Sequence, residues 1–175
     1  MEPKVILVDK KDNEIGAMGK QLAHIEGVLH RAFSVFLFNA KGELLLQQRA
    51  LTKYHSGGLW TNTCCSHPSP GESLESAVPR RLNEELGIQS ETIHVGHVLY
   101  KAEFGNGLIE HEYDHVFIGN FDGDVHINKE EVEAIKYVSL EELDQWLKNK
   151  PNDFTAWFPL CLDIVKQEIQ SKITL

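Results

Sequence analysis

The strand–turn–strand pattern at residues 32–49 limits what this chain can fold into more than any other feature. Ala32 to Phe38 is apolar apart from Ser34, Asn39-Ala40-Lys41-Gly42 supplies turn residues, and Glu43 to Arg49 returns as a second strand-length segment. A longer version follows: Thr92 to Phe104 and Leu108 to Phe121 flank Gly105-Asn106-Gly107, a cluster that tolerates positive φ. Between these hairpins Leu74, Val78, Leu82 and Leu86 recur every four residues, a helical stripe that starts near Ser73 and stops at Gly87. Pro79 inside it removes a backbone donor and is expected to bend its first turns. Val5 to Val8 reads as an opening strand and Ala134 to Val138 as a later one. Ser139-Leu140-Glu141-Glu142 is a capping box for a helix to about Lys148, and a last helix follows Trp157-Phe158-Pro159. Antiparallel hairpins among helices predict an α+β layered domain rather than a doubly wound parallel sheet.

Nothing divides the chain. Its 175 residues contain no repeat, low-complexity tract or linker, so a single domain over residues 1–175 is expected, large enough to fold without disulfides or a structural metal. With 17 Lys+Arg against 26 Asp+Glu the net charge is −9, which argues against a nucleic-acid partner bound by broad phosphate neutralisation and makes any phosphate site local. No apolar run approaches the ~20 residues of a membrane-spanning helix. The N-terminus lacks the pattern of a signal peptide, and three cysteines, two of them adjacent, suit a reducing compartment; a cytoplasmic protein with no membrane partner is the expectation.

Three segments carry chemistry. In Trp60-Thr61-Asn62-Thr63-Cys64-Cys65-Ser66-His67-Pro68 a thiol and an imidazole lie two residues apart, the spacing of a reactive pair or a metal site; buried cysteines and a turn histidine are the plainer alternative. In Glu110-His111-Glu112 period-two alternation sends both carboxylates to one face, where a metal ion, protonation of one partner, or simple solvation relieves their repulsion. His24 and His30, just before the first core strand, are candidate imidazole partners, and imidazoles with carboxylates favour Mn, Zn or Fe over Mg alone. On the helix, Glu72, Arg80, Arg81, Glu84 and Glu85 lie away from the apolar stripe. They form either an exposed charged face or, through Glu84 and Glu85, a Mg²⁺ site for a phosphorylated substrate.

Together these residues resemble a known pattern. Gly71-Glu72 followed by Arg80-Arg81-Leu82-Asn83-Glu84-Glu85-Leu86-Gly87-Ile88 looks like a degenerate Nudix box, with Ser66 at its first Gly and Arg81 at the Glu after its Arg, a change that speaks against diphosphate hydrolysis. From about Lys20 to Trp157 the chain is similar to the type I isopentenyl diphosphate isomerases. The likeness includes Leu29-His30-Arg31-Ala32-Phe33-Ser34, Leu46-Gln47-Gln48-Arg49, the Thr61–Pro68 segment and Glu110-His111-Glu112. The resemblance implies a Nudix-like mixed sheet layered with helices and isomerisation of isopentenyl diphosphate to dimethylallyl diphosphate. It makes Cys65 and Glu112 the acid/base pair and His24, His30, His67, Glu110 and Glu112 the holders of Mn²⁺ or Zn²⁺. Glu85 would take a Mg²⁺ bound with the diphosphate, whose oxygens Lys20, Arg49, Lys53 and Arg81 would meet. Tyr100 would stand beside the metal site and Trp157 would cover the hydrocarbon, in a monomer or weak dimer. A Nudix hydrolase of a nucleoside diphosphate derivative and a non-catalytic metal- or ligand-binding domain are the competing readings.

Overall fold

Residues 2–173 are described by the computed structural model; Met1, Thr174 and Leu175, the ends of the expected 1–175 domain, lie outside them. In order the chain forms strands β1 (Lys4–Val8) and β2 (Glu14–Gly19), helix α1 (Lys20–Glu26), then strands β3 (His30–Phe38), β4 (Leu44–Arg49), β5 (Trp60–Thr61) and β6 (Cys64–Ser66). Helix α2 (Leu74–Leu86) precedes the long strands β7 (Thr92–Glu103) and β8 (Ile109–Asn120), strand β9 (Val132–Val138), and helices α3 (Leu140–Asn149) and α4 (Phe158–Ile173). Among these residues no helix is long and apolar enough to cross a membrane.

Strand β3 is the spine. It runs parallel to β8 over nine residues, from His30↔Glu112 to Phe38↔Asn120, and antiparallel to β6 from Phe33↔Ser66 to Val35↔Cys64. The expected hairpin between β3 and β4 therefore exists only at its turn, where Phe38 pairs with Leu44; β4 then leaves to pair with β9 and β5. The reason is burial on both faces. Phe33, Val35 and Leu37 pack toward α2 with Leu82 and Leu86, whereas Phe36 and Phe38 pack toward α3 and α4 with Leu143, Phe158 and Leu162. A strand apolar on both sides belongs in the middle of a layered sheet, with a partner along each edge. The second hairpin, β7–β8, pairs along its whole length with one irregularity at His94/Gly96, and Phe104 N–H donates to Leu108 C=O at its turn.

Helix α2 begins where Ser73 Oγ accepts the Ser76 N–H at 3.2 Å and ends at Gly87, whose φ of 63° lets its N–H reach Asn83 C=O. Pro79 sits inside an unbroken helix. Leu82 and Leu86 are fully buried, each burial worth roughly 1.5–3 kcal/mol. Strand β2 and helix α1, absent from the sequence expectation, are weakly patterned: β2 is largely exposed and α1 has only seven residues.

Candidate active site

The site forms on the α4 side of the sheet, around the end of β8 that pairs with His30. Alternation along β8 turns Glu110, Glu112 and also Asp114 inward, with exposures of 3%, 5% and 1%. Tyr100, opposite Glu112 on β7, places its hydroxyl between Glu110 Oε1 and Glu112 Oε1. One phenolic proton cannot satisfy two carboxylates at once, and like charges about 4 Å apart repel by roughly 4 kcal/mol at an effective dielectric near 20. A buried cation or an added proton is required.

Two histidines are prepared for the cation. Helix α1 stops at Gly27, whose left-handed φ of 68° turns the chain back through Val28 into β3 and brings His24 and His30 to one spot, ring centroids 5.0 Å apart. His24 Nδ1 lies 2.7 Å from Lys20 C=O and His30 Nδ1 lies 2.9 Å from Val28 C=O. Carbonyls only accept, so each Nδ1 carries a hydrogen and each Nε2 is turned inward, where without a proton it presents a lone pair. His24 Nε2 is buried without a hydrogen-bond partner, 3.7 Å from Glu110 Oε2, and His30 Nε2 faces Glu112 Oε2 at 3.0 Å. His67, from the turn after β6, reaches the same Glu112 oxygen. Donor atoms of His24, His30, His67 and Glu112 all lie within 4.8 Å of one another, and those of His24, His55 and Glu110 do likewise. Inward lone pairs facing carboxylates, each ring fixed by a backbone carbonyl, fit a divalent metal ion. Burial pushes the His67 imidazole down to about 4, despite the pull of Glu112. Burial would raise Glu112, but His67 and His30 hold it well below the usual carboxylate range.

Cys65 lies on β6 opposite Ser34, and its neighbour Cys64 faces the other way, into the α2 layer. The strand is clamped by Asn62, whose side chain donates to Val35 C=O at 3.1 Å and Cys64 C=O at 2.8 Å while accepting from Thr61 Oγ1. Desolvation drives the Cys65 thiol up to about 12, against the pull of Arg49, so it holds its proton at neutral pH. No hydrogen bond joins Cys65 to His67 among the described residues; the imidazole goes to Glu112 instead, which removes the reactive-pair alternative.

Facing these groups is a cluster of cations. Lys20, Arg49, Lys53 and Arg81 line one cavity of about 40 Å³ together with Cys65, His67, Glu85, Glu110, Glu112 and Trp157. Burial, with Lys53, Arg49 and Arg81 nearby, pulls Lys20 down to about 8. Glu131 bonds Lys53 and approaches Arg81 at 3.5 Å, and Arg81 also bonds Glu84 and Glu85. Yet Arg49 Nε, Arg81 Nε and Trp157 Nε1 stay buried and unpartnered. In a chain of net charge −9, buried unsatisfied cationic donors mark an anion site. The Arg49 guanidinium stands 5.4 Å over the Trp157 ring. Glu85 is deeper: Arg81 occupies one oxygen, Gln47 and Cys64 the other.

All thirteen expected side chains thus meet at or directly behind one cavity. The remaining charged residues on α2 separate from it, because Arg80 grips Glu72 through Nε and Nη2 and ties the preceding loop to the helix. Sequence reasoning missed His55, Glu131 and Asp114. Continuing the alternation from Glu112 reaches Asp114, whereas no spacing signal points to the other two. A larger open groove of about 870 Å³ lies along Leu74, Val78, Thr92 and Phe121, but it gathers no comparable set of imidazole, thiol and cationic groups.

The family model for the NUDIX domain matches residues 28–158. Isopentenyl-diphosphate Delta-isomerase 2 of Aromatoleum aromaticum is 50% identical over 165 residues, 94% of this chain and 87% of that protein. The Burkholderia multivorans isopentenyl-diphosphate Delta-isomerase is 52% identical over 158 residues, 90% of each chain. Among solved structures, DR0079 from Deinococcus radiodurans superposes with a TM-score of 0.73 at 16% identity, covering 93% of this chain and 98% of that one. The MutT protein from Methanosarcina mazei gives 0.65 at 25% identity, covering 80% and 94%.

Proposed function

Because the chain belongs to the NUDIX family, and within it to the isopentenyl-diphosphate Delta-isomerases, we propose that Cys65 and Glu112 are the proton-transfer pair of its reaction. The reaction is the conversion of isopentenyl diphosphate, a small-molecule substrate, to dimethylallyl diphosphate, so the double bond moves and no phosphate is released. One proton is added to the terminal alkene carbon and another is taken from the carbon next to the ester-bearing one. The π pair forms the new C–H bond, and the broken C–H bond supplies the new double bond.

The observation that carries the reading is the meeting of a protonated thiol, a deprotonated carboxylate and four cations in one cavity. Lys20, Arg49, Lys53 and Arg81 hold the diphosphate, and that remote binding energy places the alkene between Cys65 and Glu112. One of the pair gives its proton as the other takes one, and they exchange protonation states over a turnover. The charge that develops between them resembles a tertiary carbocation. Trp157, whose ring already carries a guanidinium, stabilises it through the π face, worth ~2 kcal/mol or more when water is excluded. The Tyr100 hydroxyl stands between the two carboxylates and donates its one proton to either.

Divalent metal use follows from the family. His24, His30, His67, Glu110 and Glu112 would hold Mn²⁺ or Zn²⁺, and Glu85 a Mg²⁺ carried in by the diphosphate. When bound, the ion supplies positive charge that offsets the buried carboxylates and tunes their proton affinity. The hydrolase alternative finds no support at position 81, where Arg81 stands in place of the carboxylate that a diphosphate-hydrolysing member would carry. We take one chain, as a monomer or weak dimer, to be the acting unit.

Proton NMR of metal-supplied protein with isopentenyl diphosphate in D₂O tests the reading. Deuterated dimethylallyl diphosphate is expected, and chelation should abolish it. Folded protein that gives no conversion with several divalent metals would overturn the assignment.

A further inference from the structure

The five side chains assigned to the metal leave one buried imidazole at the site without a task. We infer that His55 is a fourth imidazole ligand of the divalent ion, entering beside His24 and Glu110; this rests on the metal-site reading above.

His55 comes from the loop between β4 and β5 and is 6% exposed. Its Nε2 lies 3.2 Å from Glu110 Oε2, and the donor atoms of His24, His55 and Glu110 fall within 4.8 Å of one another. Ligand atoms on opposite sides of an ion with bonds of about 2.1 Å stand about 4.2 Å apart, so the three need only small movements to share one ion. His24 Nε2, fully buried and without a hydrogen-bond partner, already faces the proposed ion, and it belongs to the same group of donor atoms as His55.

The ring is also held as a ligand must be. It stacks on Phe104 at 4.7 Å and 10°, on His24 at 5.3 Å and 30°, and meets the edge of Tyr54 at 4.7 Å. His55 Nδ1 lies 3.1 Å from Ser56 Oγ, a contact that fixes the ring plane while Nε2 points at Glu110. Ser56 itself has φ 55°, a left-handed conformation unusual for serine, which the loop maintains while presenting His55 inward. Four imidazoles with two carboxylates make a more nitrogen-rich site than three with two, and bias it further toward Zn²⁺ over Mn²⁺.

The test is ¹⁵N NMR of histidine-labelled protein, stripped of metal and loaded with ¹¹³Cd²⁺, in which each coordinated nitrogen is split by cadmium. Four split imidazole resonances are expected in the wild type and three in His55→Gln, whose surviving three report an intact site. In competition experiments the preference for Zn²⁺ over Mn²⁺ should fall by about tenfold or more in that variant. Three split resonances in the wild type, or an equal number in both proteins, would overturn the inference and leave the metal site standing. Protein that binds no cadmium would overturn both.

Discussion

With Lys20 as a proposed diphosphate ligand, stability and substrate binding oppose each other at this residue. Its ammonium is held down to about 8 from 10.5 by burial and by Lys53, Arg49 and Arg81, a shift worth about 3 kcal/mol of penalty on the charged form. Both folded and unfolded chains carry the proton below pH 8, so the penalty is present in full at pH 7. Between about 8 and 10.5 the unfolded chain binds the extra proton, and stability rises with pH as the penalty disappears. Lys20→Met keeps the apolar stem and removes the charge. It should raise the urea midpoint at pH 7 by the equivalent of up to about 3 kcal/mol, and the gain should shrink toward zero by pH 10.5. On the proposed diphosphate site the same variant should bind inorganic pyrophosphate more weakly, because it removes one of four clustered cations. Urea titrations at the two pH values, each with and without pyrophosphate, make the measurement. A variant less stable than wild type at pH 7, or one with undiminished pyrophosphate affinity, would refute the reasoning.

Cys65→Ala and Glu112→Gln should each lower turnover by at least about 10²–10⁴-fold in the D₂O assay while the protein stays folded by circular dichroism. Asn62→Ala strands the carbonyls of Val35 and Cys64 and should cost about 1–3 kcal/mol in urea unfolding, together with part of kcat as β6 loosens under Cys65. Glu131→Gln removes the carboxylate that pairs with Lys53 and approaches Arg81, and on the proposed diphosphate site it should lower KM severalfold at unchanged kcat, read from initial rates. Chelation should lower Tm, and restoring metal at about 1,000 times its Kd should return roughly 4 kcal/mol of stability, measured by calorimetry.

What local chemistry dictates was legible in the residues. The Leu74–Leu86 stripe with Ser73 and Gly87 at its ends marked α2, and Gly105-Asn106-Gly107 marked the turn of the long hairpin, because capping and turn propensities act over a few residues. The alternation of Glu110 and Glu112 put two carboxylates on one face before any partner was known. The likeness to a family then supplied a ligand set that spacing alone left open.

Tertiary structure decided the rest. The parallel pairing of β3 with β8, which sets His30 beside Glu112, joins residues 82 positions apart and depends on which strand edge a doubly apolar segment covers. The same long-range packing chose between the alternatives for His67, sending it to Glu112 rather than Cys65, and brought Glu131 against Lys53. His55 is the clearest case: nothing within several residues marks it, and only the folded loop sets its ring between Phe104 and His24 and points Nε2 at Glu110. Periodicity and capping act between neighbours and are written in the chain, whereas a site is a meeting of distant side chains, and only the closed fold determines which of them meet.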